Sequence, residues 1–189
     1  SLIRIASDYS ENGGNGYLNL QLLGLSDIPG AVFRMGKKCR KLRLDYNDHL
    51  RVSIITSDMS ALRLLSMKGC RMPELPKSVM NLRRISQFVL QDNALEALPD
   101  TFTKLRSLTL LDLTNNLLYN IPKGFSALAN MKTLILEGNN LETIPEGKNK
   151  YNPTGTMRMI RAYGRAWCGD LSLSLSLSLL VFARTARTD

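Results

Sequence analysis

The residues best suited to chemistry in this chain are its single histidine and its three cysteines. His49 has no second histidine near it, and Cys39, Cys70 and Cys168 lie far apart in the sequence. A catalytic nucleophile needs a base beside it, and a zinc site needs several cysteines or histidines at short spacings. The chain shows neither pattern. We therefore expect no catalytic, metal or cofactor site, and we expect His49 and Cys70 to have structural roles.

A second kind of chemistry is the hydrogen bonding of asparagines that recur at a fixed interval. A side-chain amide can donate to a carbonyl and accept from an N–H group, so a buried asparagine can satisfy a backbone that turns out of a sheet. Cys70 stands at the same interval and offers a thiol instead. We predict a ladder of buried side chains at Asn47, Cys70, Asn93, Asn116 and Asn139.

These positions belong to a repeated unit of 23 residues. The pattern L-x-x-L-x-L-x-x-N-x-L-x-x-L-P-x-x-F, where L is any large apolar residue, occupies residues 85–102 and again 108–125, and it starts a third time at residue 131. Recurrence in phase at this period is the signature of a leucine-rich repeat solenoid. The predicted fold class is therefore an α/β repeat, with a concave parallel sheet and a convex side made mostly of loops and 3-10 turns.

The alternation within each unit predicts how the strands are oriented. In x-L-x-L-x the leucines point into the core and the intervening residues point to the concave face. The Pro-x-x-Phe step then begins the return segment, because proline fixes φ and discourages continuation of the strand. The phenylalanine is expected to pack beneath the sheet.

We divide the chain into three parts. Residues 1–14 are a flank or incomplete cap, residues 15–147 hold about six repeats, two of them imperfect, and residues 148–189 form a divergent tail of low complexity. The Leu-Ser alternation in the tail suits either an edge strand or the translation of a simple nucleotide repeat. Its apolar run, residues 171–182, is too short and too polar to span a bilayer.

Function is expected on the concave face, where solenoids of this kind present a continuous surface. The face is basic in the early repeats and acidic in the late ones, and such a gradient can orient a partner. Single outward residues are more often ordinary solvated positions. Considered together, the predicted partner-binding residues are Lys41, Arg43, Asp45, Tyr46, Arg63, Leu64, Lys68, Gln87, Val89, Gln91, Asp112, Thr114, Ile135 and Glu137.

The formal charge of +9 raises the question of nucleic acid binding. Most of the excess lies outside the repeats: residues 1–38 carry +1, residues 39–147 carry +3 and residues 148–189 carry +5. Nucleic acid is therefore an unlikely partner, although the basic early repeats keep a nucleic-acid or ribonucleoprotein component as an alternative function. A regulatory fragment of a larger enzyme is a second alternative.

Residues 85–147 closely, and residues 15–84 more loosely, resemble the intracellular leucine-rich repeat proteins with 23-residue units, of the Ras-group-related and Ras-suppressor type. The resemblance implies a non-catalytic scaffold in the cytoplasm that binds a protein partner, such as a small GTPase or a kinase-type signalling protein. Three scattered cysteines agree with a reducing compartment, because extracellular repeat proteins commonly carry cysteine-rich caps.

Overall fold

The computed structural model describes residues 16–30, 32, 38–48, 50, 59–141 and 158–160. The expectations for His49, for Cys168, for the flank 1–14 and for most of the tail lie outside the described residues. The described ranges include all or part of each of the roughly six predicted repeats, so the concave side of each repeat can be described.

Seven short strands form one parallel sheet in which neighbours in sequence are neighbours in space. The strands are β1 Tyr17–Asn19, β2 Lys41–Arg43, β3 Leu64–Ser66, β4 Gln87–Val89, β5 Leu110–Asp112, β6 Thr133–Ile135 and β7 Arg158–Ile160. Each register pair joins equivalent positions of two repeats, as in Leu42 with Leu65 and Leu65 with Phe88. The predicted fold class, a leucine-rich repeat solenoid with a parallel sheet, is confirmed.

The core lies behind the sheet and runs without interruption through the described repeats. The central residue of each strand from β1 to β6 is buried, and so is the apolar residue two positions later, for example Leu111 and Leu113. This follows from the alternation of side chains along a strand. Stacking equivalent leucines builds a column of apolar contacts that no single repeat could bury alone.

The return segments on the convex side are 3-10 turns at Lys77–Asn81, Asp100–Lys104 and Phe125–Ala127. Pro76 and Pro99 precede the first two turns with φ values of −59° and −66° and extended ψ values of 131° and 147°, so the extended chain ends at each proline and the turn begins after it. Phe102 and Phe125 stack with parallel rings whose centroids are 6.2 Å apart. The expected 3-10 convex side and the phenylalanine beneath the sheet are both present.

Candidate protein-interaction face

The predicted partner-binding residues fall into two groups by exposure. The exposed group consists of Lys41, Arg43, Tyr46, Arg63 and Gln87. The half-buried group consists of Leu64, Lys68, Val89, Gln91, Thr114, Ile135 and Glu137. All of them lie on the concave side, in or beside strands β2 to β6. The remaining two, Asp45 and Asp112, are buried and require a correction.

Asp45 was expected to be open to a partner, but only 5% of it is exposed. Its carboxylate accepts hydrogen bonds from the hydroxyl of Ser66 and from the backbone N–H of Lys68, the latter at 3.0 Å. Arg43 Nε lies 3.7 Å from the same carboxylate. Asp45 therefore links two repeats from inside the solenoid. Arg43 is the exposed side chain that a partner would contact at this position.

Asp112 is corrected in the same way, since 6% of it is exposed. It accepts hydrogen bonds from the side-chain amide of Gln91, from the Thr114 hydroxyl at 2.6 Å and from the Thr114 N–H at 3.1 Å. A buried carboxylate with three donors is satisfied without solvent. Gln91 and Thr114 thus cover Asp112, and these two neutral side chains face the concave surface.

The charge gradient along the concave face is weaker than the formal charges of its residues predict. Lys68 Nζ lies 3.4 Å from the Asp92 carboxylate, so an early cation is paired with a late anion. Lys68 also lies 5.8 Å from the centroid of the Tyr46 ring. Hydrogen bonding to Tyr46, and then to Asp92, raises the pKa of Lys68. Lys68 is therefore part of the solenoid surface and is not a free binding charge.

Three other cations, at the starts of β2 and β3, have no carboxylate partner among the described residues. They are Arg40, Lys41 and Arg63, and all three are exposed. Arg40 and Arg63 occupy equivalent positions just before β2 and β3, where the Arg63 N–H donates to the Arg40 carbonyl at 2.7 Å. The open positive charge of the early repeats therefore stands at the starts of β2 and β3, and Lys132 is exposed at the equivalent position before β6.

Tyr46 differs from the other predicted residues in its backbone. It belongs to a column of equivalent positions, one in each repeat from Leu22 to Gly138, and φ is positive throughout that column. The values are 58° at Leu22, 57° at Tyr46, 62° at Gly69, 55° at Asp92, 53° at Asn115 and 69° at Gly138. The strands have already ended here, and each repeat makes a left-handed turn, so the alternation of a strand no longer predicts the direction of these residues.

The predicted ladder residues lie immediately beneath this turn. Asn93 donates to the carbonyls of Met67 and Leu90 at 2.8 and 3.0 Å. Its side-chain oxygen accepts from the N–H groups of Cys70 and Met72 at 3.1 and 3.0 Å. Each asparagine thus pairs with backbone groups of its own repeat and of the preceding one. Asn47, Asn116 and Asn139 repeat these bonds to both repeats.

Cys70 occupies the same slot with a thiol. Its sulfur donates to the Leu44 carbonyl at 3.3 Å, the group that an asparagine amide would contact from this position. Burial raises the pKa of the Cys70 thiol, and it raises that of Cys39 to about 11. Both cysteines are free and buried. A protonated, buried thiol is a poor nucleophile, which agrees with the structural role expected for Cys70.

The described residues contain no group of three or more histidine, cysteine or acidic side chains placed to hold a metal ion. Within the same ranges, no helix combines the length and the apolar character needed to cross a membrane.

Comparison with known protein families identifies the class of fold to which the stacked strands and turns belong. Residues 83–141 match the family model described as leucine rich repeat. Together with the stacked strands and the asparagine column, this match identifies the described fold as a leucine-rich repeat solenoid. No curated protein sequence matches the chain significantly.

Solved structures support the fold and extend beyond this chain. A leucine-rich repeat protein of Leptospira interrogans is similar with a TM-score of 0.55 and 20% identity, over 74% of this chain and 42% of that one. The LRIM1/APL1C complex gives 0.60 and 23%, over 68% and 24%. The functional domain of InlJ from Listeria monocytogenes, described as including a cysteine ladder, gives 0.52 and 18%, over 64% and 24%. The chain therefore spans less than half the length of each of these structures.

Sequence reasoning missed the importance of the left-handed column and of the hydrogen bonds around Asp45 and Asp112. One signal was available for the column: Gly69 and Gly138 stand at equivalent positions, and glycine is favoured where φ is positive. A second signal was the serine or threonine placed to donate to each aspartate, Ser66 for Asp45 and Thr114 for Asp112.

Proposed function

We propose that this chain is a non-catalytic protein-interaction module that binds a partner protein on the concave face of its sheet. The observation that carries the proposal is a row of half-buried apolar side chains on that face. Leu64, Val89, Leu110 and Ile135 stand on four successive strands, one on each, and alternate between two neighbouring columns. Apolar groups set among polar and charged ones are typical of the centre of an interface.

The finer parts of the proposal concern the partner and the location. The resemblance to Ras-group-related repeat proteins favours a small GTPase or a kinase-type signalling protein as the partner. The free thiols of Cys39 and Cys70 support a reducing, cytoplasmic environment. If the solenoid instead regulates a larger enzyme, it is expected to use the same face, because the apolar row is there.

Nucleic acid binding remains the competing function, but fewer open cations support it than the sequence predicts. Among the early cations of the concave face, Arg43 lies beside Asp45 and Lys68 lies beside Asp92. A phosphate backbone would have to compete with these carboxylates for both side chains. We therefore favour a protein partner, and the capture experiment below includes a nuclease step to separate the two.

The test places arginines on the concave face and on the convex side. Gln87 and Thr133 stand in one outward column on β4 and β6, so Gln87→Arg with Thr133→Arg puts two bulky charges beside the apolar row. The matched control is Thr101→Arg with Asn120→Arg, at exposed positions outside the sheet. Arg43 and Lys68 are unsuitable for this purpose because each contacts a carboxylate of the solenoid.

Capture of proteins from nuclease-treated lysate should fall strongly for the concave pair and remain near wild type for the convex pair, at equal folded concentration. The melting temperatures of all variants are measured alongside, so that a loss of fold is not read as a loss of binding. Unchanged capture by the concave pair, with loss from the convex pair, would place the interface on the other side. Loss of all capture after nuclease treatment would favour the nucleic-acid alternative.

A further inference from the structure

The unpaired cations of the early repeats indicate what kind of partner the concave face accepts. Arg40, Lys41 and Arg63 are exposed and have no carboxylate partner within the described part of the chain. The nearby acids are already engaged. Asp45 is buried against Arg43 and Ser66, and Asp48 lies 3.2 Å from Arg71. The positive charge at the start of β2 and β3 is therefore available to a ligand.

Apolar side chains flank this charge within the sheet. Lys41 is registered with Tyr17 of β1 on one side and with Leu64 of β3 on the other. Both neighbours are half-buried and still contribute to the surface. Adjacent strands are about 4.8 Å apart, so Tyr17, Lys41 and Leu64 form a row in which one cation stands between two apolar groups.

We propose that this early half of the concave face holds an extended, acidic peptide segment of the partner protein. Aspartate or glutamate carboxylates would pair with Arg40, Lys41 and Arg63, and an apolar side chain of the segment would pack against Tyr17 and Leu64. This inference rests on the proposed function, since it names the partner chemistry of the same face.

The three cations lie on two successive repeats, with Arg40 and Arg63 just before β2 and β3 and Lys41 at the first position of β2. Each is a separate side chain, so two or more carboxylates of one segment can pair with them. Side chains on one face of an extended peptide recur about every 6.6 Å, which allows neighbouring acidic residues to reach neighbouring strands. Charge pairs of this exposed kind contribute more to orientation and association rate than to affinity.

The same distribution argues against a long polyanion. Past Arg63, the Lys68 ammonium is already paired with the Asp92 carboxylate of the following repeat. A phosphate backbone that continued in this direction would have to displace that carboxylate. A short acidic segment can end before it.

The experiment uses the whole chain of 189 residues as bait for a displayed library of random 12-residue peptides. Enriched peptides are synthesised, and their Kd values are measured for wild type and for two charge-reversal triples. The concave triple is Arg40→Glu, Lys41→Glu and Arg63→Glu. The convex control triple is Lys77→Glu, Lys104→Glu and Lys123→Glu, all at exposed positions. A 20-nucleotide polyuridine RNA is the competing probe.

We expect the enriched peptides to contain an excess of aspartate and glutamate over lysine and arginine. Their Kd should rise by about tenfold or more in the concave triple and stay within about twofold in the convex triple. It should also rise with salt, since exposed charge pairs are screened. If the concave triple lowers the melting temperature, the single substitution Lys41→Glu replaces it, because that side chain is exposed.

The outcomes separate this inference from the proposed function. Enriched peptides without an acidic excess, or with Kd values unchanged by the concave triple, would overturn the inference and leave the interaction module intact. Tighter binding of polyuridine than of any peptide, lost in the concave triple, would replace the acidic peptide with nucleic acid. The interaction module itself is tested separately, by the Gln87 and Thr133 arginine substitutions and by the nuclease step of the capture experiment.

Discussion

The ring of Tyr46 lies over Gly69 of the next repeat. A Cβ added at Gly69 would come within 2.6 Å of Tyr46 Cδ1, well inside van der Waals contact. Both residues have positive φ, 57° and 62°, and occupy equivalent positions of their turns. Glycine is needed at this place for two reasons, because it tolerates the backbone conformation and because it leaves room for the ring.

The substitution Gly69→Ala tests that relationship. We expect it to lower the free energy of unfolding by about 1–3 kcal/mol through backbone strain, and further through the clash with Tyr46. Gly24→Ala is a matched control, since Gly24 has φ of 61° but open space around it. Denaturant unfolding of both variants should show the larger loss for Gly69→Ala. Equal losses would mean that the ring moves aside at no cost.

The asparagine ladder gives a second prediction. Asn116 donates to the carbonyls of Leu90 and Leu113 and accepts from the N–H of Leu95. Asn116→Ala leaves these buried groups unpaired, so the free energy of unfolding should fall by about 2–4 kcal/mol. The exposed Asn120 is the control, and Asn120→Ala should change little. A thermal melt of Asn116→Ala that coincides with wild type would remove the ladder from the account of stability.

Cys70, the thiol in the ladder, gives a third prediction, in which a substitution raises the free energy of unfolding. Cys70 keeps the donor bond to Leu44 but offers a weak sulfur acceptor to the preceding repeat. In the asparagine repeats, two N–H groups of the preceding repeat can meet an amide oxygen here, as with Asn93. We expect Cys70→Asn to stabilise the chain by about 1 kcal/mol and Cys70→Ala to destabilise it. A lower melting temperature for Cys70→Asn than for wild type would show that the slot is too small for an amide.

The buried thiol of Cys39 predicts a dependence of stability on pH. Burial raises its pKa to about 11, above the ordinary value of 9.0. Below pH 9 the thiol is protonated in both the folded and the unfolded chain, and the stabilisation that comes from its raised pKa is fully present. As pH rises from about 9 to 11, the unfolded chain releases a proton that the folded chain keeps, so the free energy of unfolding falls by roughly 1–3 kcal/mol.

Cys39→Ala is the comparison that isolates this effect, because tyrosines and lysines titrate in the same range. Denaturant titrations at several pH values between 8 and 11 should show a shallower decline for the variant than for wild type. Parallel declines would mean that Cys39 reaches solvent before the solenoid unfolds.

Much of the architecture was predictable because it depends on repetition. Leu65, Phe88 and Leu111 stand 23 residues apart, and equivalent positions stacked in register make one buried column. The phase of Asn93, Asn116 and Asn139 predicts side chains that lie on one another at the same turn. The Pro-x-x-Phe step likewise indicates where Phe102 and Phe125 stack. Each inference needs only the period of the sequence and the alternation of a strand.

The candidate face was predictable in position but not in exposure. Outward residues can be assigned from alternation as long as the strand lasts, and β2 to β6 last three residues each. Beyond that length the backbone turns left-handed at Tyr46 and its equivalents. The alternation rule therefore assigns the strand residues to the outer face but gives no account of what covers them, and it does not apply to Tyr46 and its equivalents.

The charges were decided by the tertiary structure. The sequence by itself determined the repeat, the direction of the sheet and the side on which Asp45, Asp112 and Lys68 stand. Only the stacking of successive repeats placed Ser66 against Asp45, Gln91 against Asp112 and Asp92 against Lys68. These contacts join side chains about 21 to 24 residues apart whose separation depends on the twist between strands. A formal charge becomes a binding charge only where no such neighbour satisfies it, as at Arg40, Lys41 and Arg63.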